Sequence, residues 1–314
     1  MIAIVGGLGA AIMWAAATLA SSRSSRMIGS RVVLAWVMII GTVIGLPFGL
    51  ASGVPVDVEP EALVLLLIAG LSYAGGLYVA YTALTFGKVS IVAPIVATEG
   101  AIAALLAVAL GDTLAASAAV LLAVIVIGVV LSAIEPARPI VVAGDFEIEV
   151  DALDGPVEPG MTVPIAARAA PVDAADQTRR AAVMAVLAAL IFGVGIVATG
   201  KAAVLVPPIW VAISVRLVGL AIVALPIVLQ RRLTLTRVAL PLLLIAGTGE
   251  IIGSTLSAWG ASFDIAVAAV LGSQFAAIAA VTAFFLFGER LSKTQVLGVI
   301  LIVAGVSALA ATSL

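Results

Sequence analysis

Apolar residues run along this chain in long blocks with few polar interruptions. A helix crossing about 30 Å of hydrocarbon needs about 20 largely apolar residues. Ten such blocks stand at roughly 2–20, 32–51, 61–85, 89–110, 114–134, 181–200, 207–229, 238–261, 264–287 and 295–313. They are too long for barrel strands and do not alternate, so helices are predicted throughout. Short polar steps separate them, among them Asp57, Glu59 and Pro60, then Gly111-Asp112, Arg231-Arg232 and Gly288-Glu289-Arg290. Gly87-Lys88 and Phe263-Asp264 are tight hinges. The first block lacks a basic leader region and reads as a span, its Gly6, Gly7 and Gly9 suiting close helix packing. The pattern predicts an all-α polytopic membrane protein with ten transmembrane helices.

One stretch breaks the rhythm. Residues 135–180 hold nine acids: Glu135, Asp145, Glu147, Glu149, Asp151, Asp154, Glu158, Asp173 and Asp176. This is a polar connector, long for a compact bundle. It reads as a solvated linker. Phe146–Val150 alternates and offers one strand of a short hairpin.

The chain also repeats itself. At an offset of 177 residues, Ala62–Gly70 (ALVLLLIAG) lies over Ala239–Gly247 (ALPLLLIAG). The same register pairs Gly76 with Gly253, Phe86 with Phe263, Gly111-Asp112 with Gly288-Glu289, and Gly128 with Gly305. Slightly larger offsets match Trp14-Ala15 to Phe192-Gly193 and Leu46-Pro47 to Leu225-Pro226. The organisation is then a first five-helix repeat over 1–134, the connector 135–180, and a second repeat over 181–314. Five is odd, so the second half enters the membrane inverted. In many carriers that arrangement puts the substrate site near the midplane, between the repeats.

Composition narrows the chemistry. Hydrophobic residues make up 64% of the chain and charged ones 10%, too little charge to cover a soluble surface. Net charge is −2 and no basic run exists, so no nucleic-acid partner is expected. Without His or Cys there is no Cys- or His-based catalysis and no zinc, iron–sulfur or His-held haem site. No enzyme activity, cofactor or resident metal is expected.

These features together resemble the drug/metabolite transporter superfamily, EamA type. The resemblance rests on ten spans in two five-helix halves, an acidic GD or GER step closing the fourth and ninth, the Leu291 step, the Gly298 to Gly305 spacing, and the aromatic-Gly pair Phe192-Gly193. It covers the chain outside the connector. The first half departs from the pattern: Trp14 is followed by Ala15, Gly111-Asp112 lacks the basic residue, and the arginine of the second span appears as Arg216 in the seventh but is absent from the matching Val37. The resemblance implies a transporter whose third, fourth, eighth and ninth spans line the cavity.

Loops after odd-numbered blocks carry thirteen of the fifteen Lys and Arg residues; loops after even-numbered blocks carry Lys201 alone. By the positive-inside rule the odd loops face the cytoplasm and both termini lie outside. The resemblance implies the opposite placement of the termini.

Three ionisable residues stand inside apolar blocks: Glu99, Arg216 and Glu250. A charge at a helix centre costs about 2.5–3.5 kcal/mol on insertion scales, so such residues face the bundle interior. Ser254 and Ser257 follow Glu250 on the same helix face, a polar stripe that suits a cavity wall. Glu250 also reads as a structural partner for Arg216. Glu99 follows Thr98 and Pro94, and a proline kink beside a buried acid suits a site that rearranges. Gln274 is a further candidate. Arg216 reads either as a scaffold residue or as a clamp for a substrate carboxylate. Tyr73, Tyr78, Tyr81, Trp14 and Trp259 read as packing or as an aromatic wall.

The expected function is secondary transport of a small polar or amphipathic metabolite, amino-acid-like or drug-like, out across a prokaryotic cytoplasmic membrane. Glu99 or Glu250 would couple to a proton or contact the solute. The expected partners are that solute, the lipid bilayer and protons, with the chain a monomer or homodimer. The competing reading is an ion channel or divalent-cation permease on the same fold.

Overall fold

The computed structural model describes residues 2–109, 116–133, 141–143, 146–148, 171–261, 271–272, 274–288 and 291–312. These are helical almost throughout. In chain order the helices are α1 Ile2–Ile28, α2 Ser30–Ala51, α3 Pro60–Phe86, α4 Val89–Val96, α5 Glu99–Ala109, α6 Ala116–Ala133, α7 Pro171–Leu205, α8 Pro208–Gly219, α9 Leu225–Leu229, α10 Ala239–Ala261, α11 Phe275–Phe287 and α12 Lys293–Thr312. A hairpin pairs Val141–Ala143 with Phe146–Ile148 inside the connector. Six of the described helices are long and apolar enough to cross a bilayer; α11 and α12 are shorter apolar helices.

Local chemistry sets the boundaries. Proline opens α3 at Pro60 and α8 at Pro208, where the missing N–H is not needed. Gly29 (φ 86°) and Gly288 (φ 63°) supply left-handed turns before α2 and after α11. The sixth apolar block is longer than the hydropathy pattern predicts, for α7 reaches back to Pro171 in the connector. Asp176 pairs there with Arg179 and Arg180 at 3.0 and 2.7 Å, contacts one turn apart that favour helix.

The fourth block is not one kinked helix. It is broken outright, α4 ending at Val96 and α5 starting at Glu99. Ala97 and Thr98 form the turn, closed by Thr98 N–H and Oγ1 donating to the Ile95 carbonyl at 3.1 and 2.7 Å. At the same repeat offset, Gln274 stands in a turn before α11. The Asp112 and Glu289 steps lie outside the described residues.

Packing follows the repeat. Helix α1 lies along α10 as α7 lies along α3. A Cβ at Gly76 would stand 2.7 Å from the Phe192 ring, and one at Gly253 would stand 2.7 Å from Trp14. Gly128 receives Ile302 from α12, and Gly305 receives Ile125 from α6. Each contact has its counterpart with the halves exchanged, which is the signature of a twofold axis relating them.

The seventh block corrects one correspondence. Gly41 abuts the Arg216 side chain, and Gly219 abuts Met38. The position equivalent to Arg216 is therefore Met38, not Val37. The reason is a π turn at Leu220–Ala224, between α8 and α9. It accommodates one extra residue, so the offset is smaller before it (Met38 to Arg216) than after it (Pro47 to Pro226).

Loops gather by parity. Arg26 donates to the carbonyls of Leu84 and Gly87 at 3.0 and 2.6 Å, the Arg23 guanidinium lies 4.7 Å from the Phe287 ring centre, and Trp36 Nε1 donates to the Thr234 carbonyl at 3.1 Å. These contacts join loops after odd blocks on one arginine-rich face. Trp210 Nε1 donates to the Gly53 carbonyl at 2.7 Å, joining two loops after even blocks.

Candidate functional site

A polar cluster sits where α3, α8 and α10 meet. Glu250 of α10 is buried, and its Oε2 accepts a hydrogen bond from Tyr73 Oη of α3 at 2.5 Å. Arg216 of α8 is 1% exposed. Its Nη2 stands 3.7 Å from Glu250 Oε2, and it donates to the Glu250 carbonyl at 3.0 Å and to Ser254 Oγ at 3.1 Å. Ser254 Oγ in turn donates to the Glu250 carbonyl at 2.8 Å. The guanidinium carbon lies 4.8 Å from the Tyr73 ring centre, a cation–π contact. Phe192 packs edge-on against the other side of that ring at 5.6 Å.

The local sequence permits this. Gly41 on α2 leaves room for the Arg216 stem. Ser254 lies one turn beyond Glu250, so one arginine nitrogen reaches a carbonyl and a hydroxyl of the same helix. The pair is thus not a bidentate fork, and Arg216 Nε keeps no partner among the described residues. That nitrogen is buried against Gly41 of α2.

A cavity of about 100 Å³ opens beside the cluster. Tyr73, Arg216 and Ser254 form its inner end; Val211, Ala212 and Val215 form its apolar flank. Ala203 and Pro208, both exposed, mark its mouth on the face opposite the arginine-rich loops. The walls come from α3, α7, α8 and α10. Among the described residues these are the third, sixth, seventh and eighth spans, two of which, the third and eighth, are among those the resemblance implies.

The predicted residues separate accordingly. Glu250, Arg216 and Ser254 come together. Ser257 is half-buried one turn further along α10. Glu99 opens α5 at the helix break, within electrostatic reach of Glu250, yet it is not a wall of the cavity. Gln274 Nε2 donates to Ser307 Oγ of α12 at 2.5 Å. Tyr78 Oη accepts from Arg31 Nε at 3.0 Å on the arginine-rich face. Trp14 packs into Gly253 and edge-on to Phe275. The residue that sequence reasoning undervalued is Tyr73, read as wall or packing and found bonded to the central acid. Its signal was present, because Tyr73 and Glu250 are separated by the repeat offset itself, 177 residues.

The model of the EamA-like transporter family matches residues 1–134 and 179–311. Fifteen chains of solved structures also match. One crystal structure, 19% identical over 99% of this chain and 97% of its own, superposes with a TM-score of 0.61. At that identity the likeness concerns the fold alone. None of the curated proteins compared matches the chain.

Proposed function

Since the chain belongs to the EamA-like transporter family, a family of multi-pass membrane transporters, we propose that it is a secondary carrier for a small polar or amphipathic metabolite. Two five-helix halves, ten spans in all, rock about the Tyr73–Glu250–Arg216 cluster and expose it to each side of a prokaryotic cytoplasmic membrane in turn. The solute is amino-acid-like or drug-like and moves outward. It binds beside Arg216, whose hydrogen-bond donors meet its acceptor group, while Val211, Ala212 and Val215 hold its apolar part. Glu250 exchanges a proton as the solute leaves, and Glu99 at the break between α4 and α5 is the second acid in reach. The loops after odd blocks face the cytoplasm.

The observation that carries this reading is the buried acid and arginine beside a cavity of about 100 Å³. Intramembrane charge of this kind costs insertion energy and marks ion and solute routes. The test uses proteoliposomes with an imposed pH gradient and a panel of labelled amino acids, nucleosides and sugars. One solute class is expected to show saturable flux and counterflow, with proton coupling lost in Glu250→Gln. Coupled flux that survives both Glu99→Gln and Glu250→Gln removes the proton mechanism. Unitary conductance in place of counterflow removes the carrier.

A further inference from the structure

We infer that Ser21, Ser25 and Tyr81 line a second route to Glu250, from the arginine-rich face, which is closed in this structure. The inference rests on the carrier reading above. Three observations converge on it.

The first is positional. The repeat carries Thr199 and Ala203, on the wall and mouth of the open cavity, onto Ser21 and Ser25 of α1. The equivalents of Thr199 and Ala203 should form the opposite entrance when the halves exchange shapes, because an inverted repeat can adopt each half's conformation in the other. In this structure they are shut away, Ser21 at 0% and Ser25 at 2% exposure, whereas Ala203 is open to solvent.

The second is hydrogen bonding. Helix hydroxyls in this chain regularly turn back to their own backbone. Ser24 Oγ donates to the Ala20 carbonyl, Thr42 Oγ1 to Met38, and Thr82 Oγ1 to Tyr78. Ser21 Oγ, Ser25 Oγ and Tyr81 Oη are buried and do none of this; they have no partner among the described residues. Buried hydroxyls are normally satisfied. Three orphans on α1 and α3 mark surface whose partners come in another state. Tyr81 stands beside Ser21 without hydrogen-bond geometry, and within electrostatic reach of Glu250. Along α1 Ser21 lies one turn further from the arginine-rich end than Ser25, and along α3 Tyr81 lies two turns from Tyr73, the partner of Glu250.

The third is chemical asymmetry. Arg216 stands at the inner end of the open cavity, but its equivalent is Met38, buried and uncharged. At its inner end the second route therefore meets hydroxyls where the first meets a guanidinium, and its cations, Arg23, Arg26 and Lys88, stand at the mouth.

The chain has no cysteine, so single-cysteine variants need no prior removal of thiols. Ser25→Cys and Thr199→Cys are challenged with a membrane-impermeant thiol reagent in right-side-out and inside-out vesicles. Thr199→Cys should react from the face opposite the arginines. Ser25→Cys should react from the arginine-rich face alone, about 10- to 1,000-fold more slowly, as expected for a site exposed only in a minor state. A Ser25→Cys protein that elutes like the parent yet stays inert from both faces, or reacts from the same face as Thr199→Cys, overturns the inference. A double variant separates it from the carrier reading. If a bulky adduct on Thr199→Cys slows labelling at Ser25→Cys, both stand. If Ser25→Cys still reacts from its own face at an unchanged rate, the route stands and alternating access falls.

Discussion

Tyr73 and Glu250 occupy the same position in the two halves and hold each other, Oη to Oε2, at 2.5 Å. Equivalent atoms of a twofold pair can touch only near the axis, so this hydrogen bond sits where the halves turn about each other. If the halves cross the membrane as an inverted repeat, that axis lies in the membrane plane and the buried acid stands close to the midplane. The pair is equal by position and unequal by chemistry, a phenol on one side and a carboxyl on the other.

Tyr73→Phe removes one hydrogen bond and keeps the ring over Arg216. Polar contacts between membrane helices are worth about 0.6–2 kcal/mol. A small fall in melting temperature in detergent is expected, with a large loss of coupled flux. A variant that transports at the parent rate would show that the bond is packing only.

Arg216→Met should destabilise strongly. Removing one partner of a buried pair costs about 3–5 kcal/mol, because the other charge stays uncompensated. The slot itself accepts methionine, as Met38 shows against Gly219. Adding Glu250→Gln should restore most of the melting temperature and none of the transport. Strictly additive losses in the double variant would contradict the pairing.

Ala212→Phe fills the cavity flank and leaves both charged residues in place. With about 100 Å³ available, a phenyl group should block solute entry while thermal stability changes little. Flux with an unchanged KM would place the pathway elsewhere.

Gly128→Leu and Gly305→Leu should behave as twins. Each inserts a side chain into the α6–α12 contact, against Ile302 or Ile125, and overpacking of this kind costs about 1–3 kcal/mol. Comparable falls in melting temperature are expected. A large difference between the two would argue against symmetric packing.

Much of this architecture could be read from the order of residues. Apolar blocks announced the helices, because a bilayer admits little else, and the 177-residue register anticipated the Gly76 and Gly128 contacts. Glu250, Arg216 and Ser254 were recognisable because charge inside an apolar block has to be answered by a neighbour. The path of the cavity was not recognisable. It depends on which helices part, and Thr199, Ala203 and Pro208 carry no sequence signal beyond being small or interrupting a helix. The break at Ala97-Thr98 was only half visible, since Pro94 forecasts a bend but the turn is closed by Thr98. The match of Arg216 to Met38 rather than Val37 was not recognisable either, because a π turn leaves no mark in hydropathy.

That π turn at Leu220–Ala224 also bears on descent. If the halves arose by duplication, they began with equal length, and one residue has since been gained in the seventh span or lost from the second. The change was absorbed within a single turn, leaving Gly41 and Gly219 before it and Pro47 and Pro226 after it in matching places. It lies next to Arg216, the residue by which the second half differs most from the first. A related chain with an arginine at both positions and no π turn would preserve the state before the halves diverged.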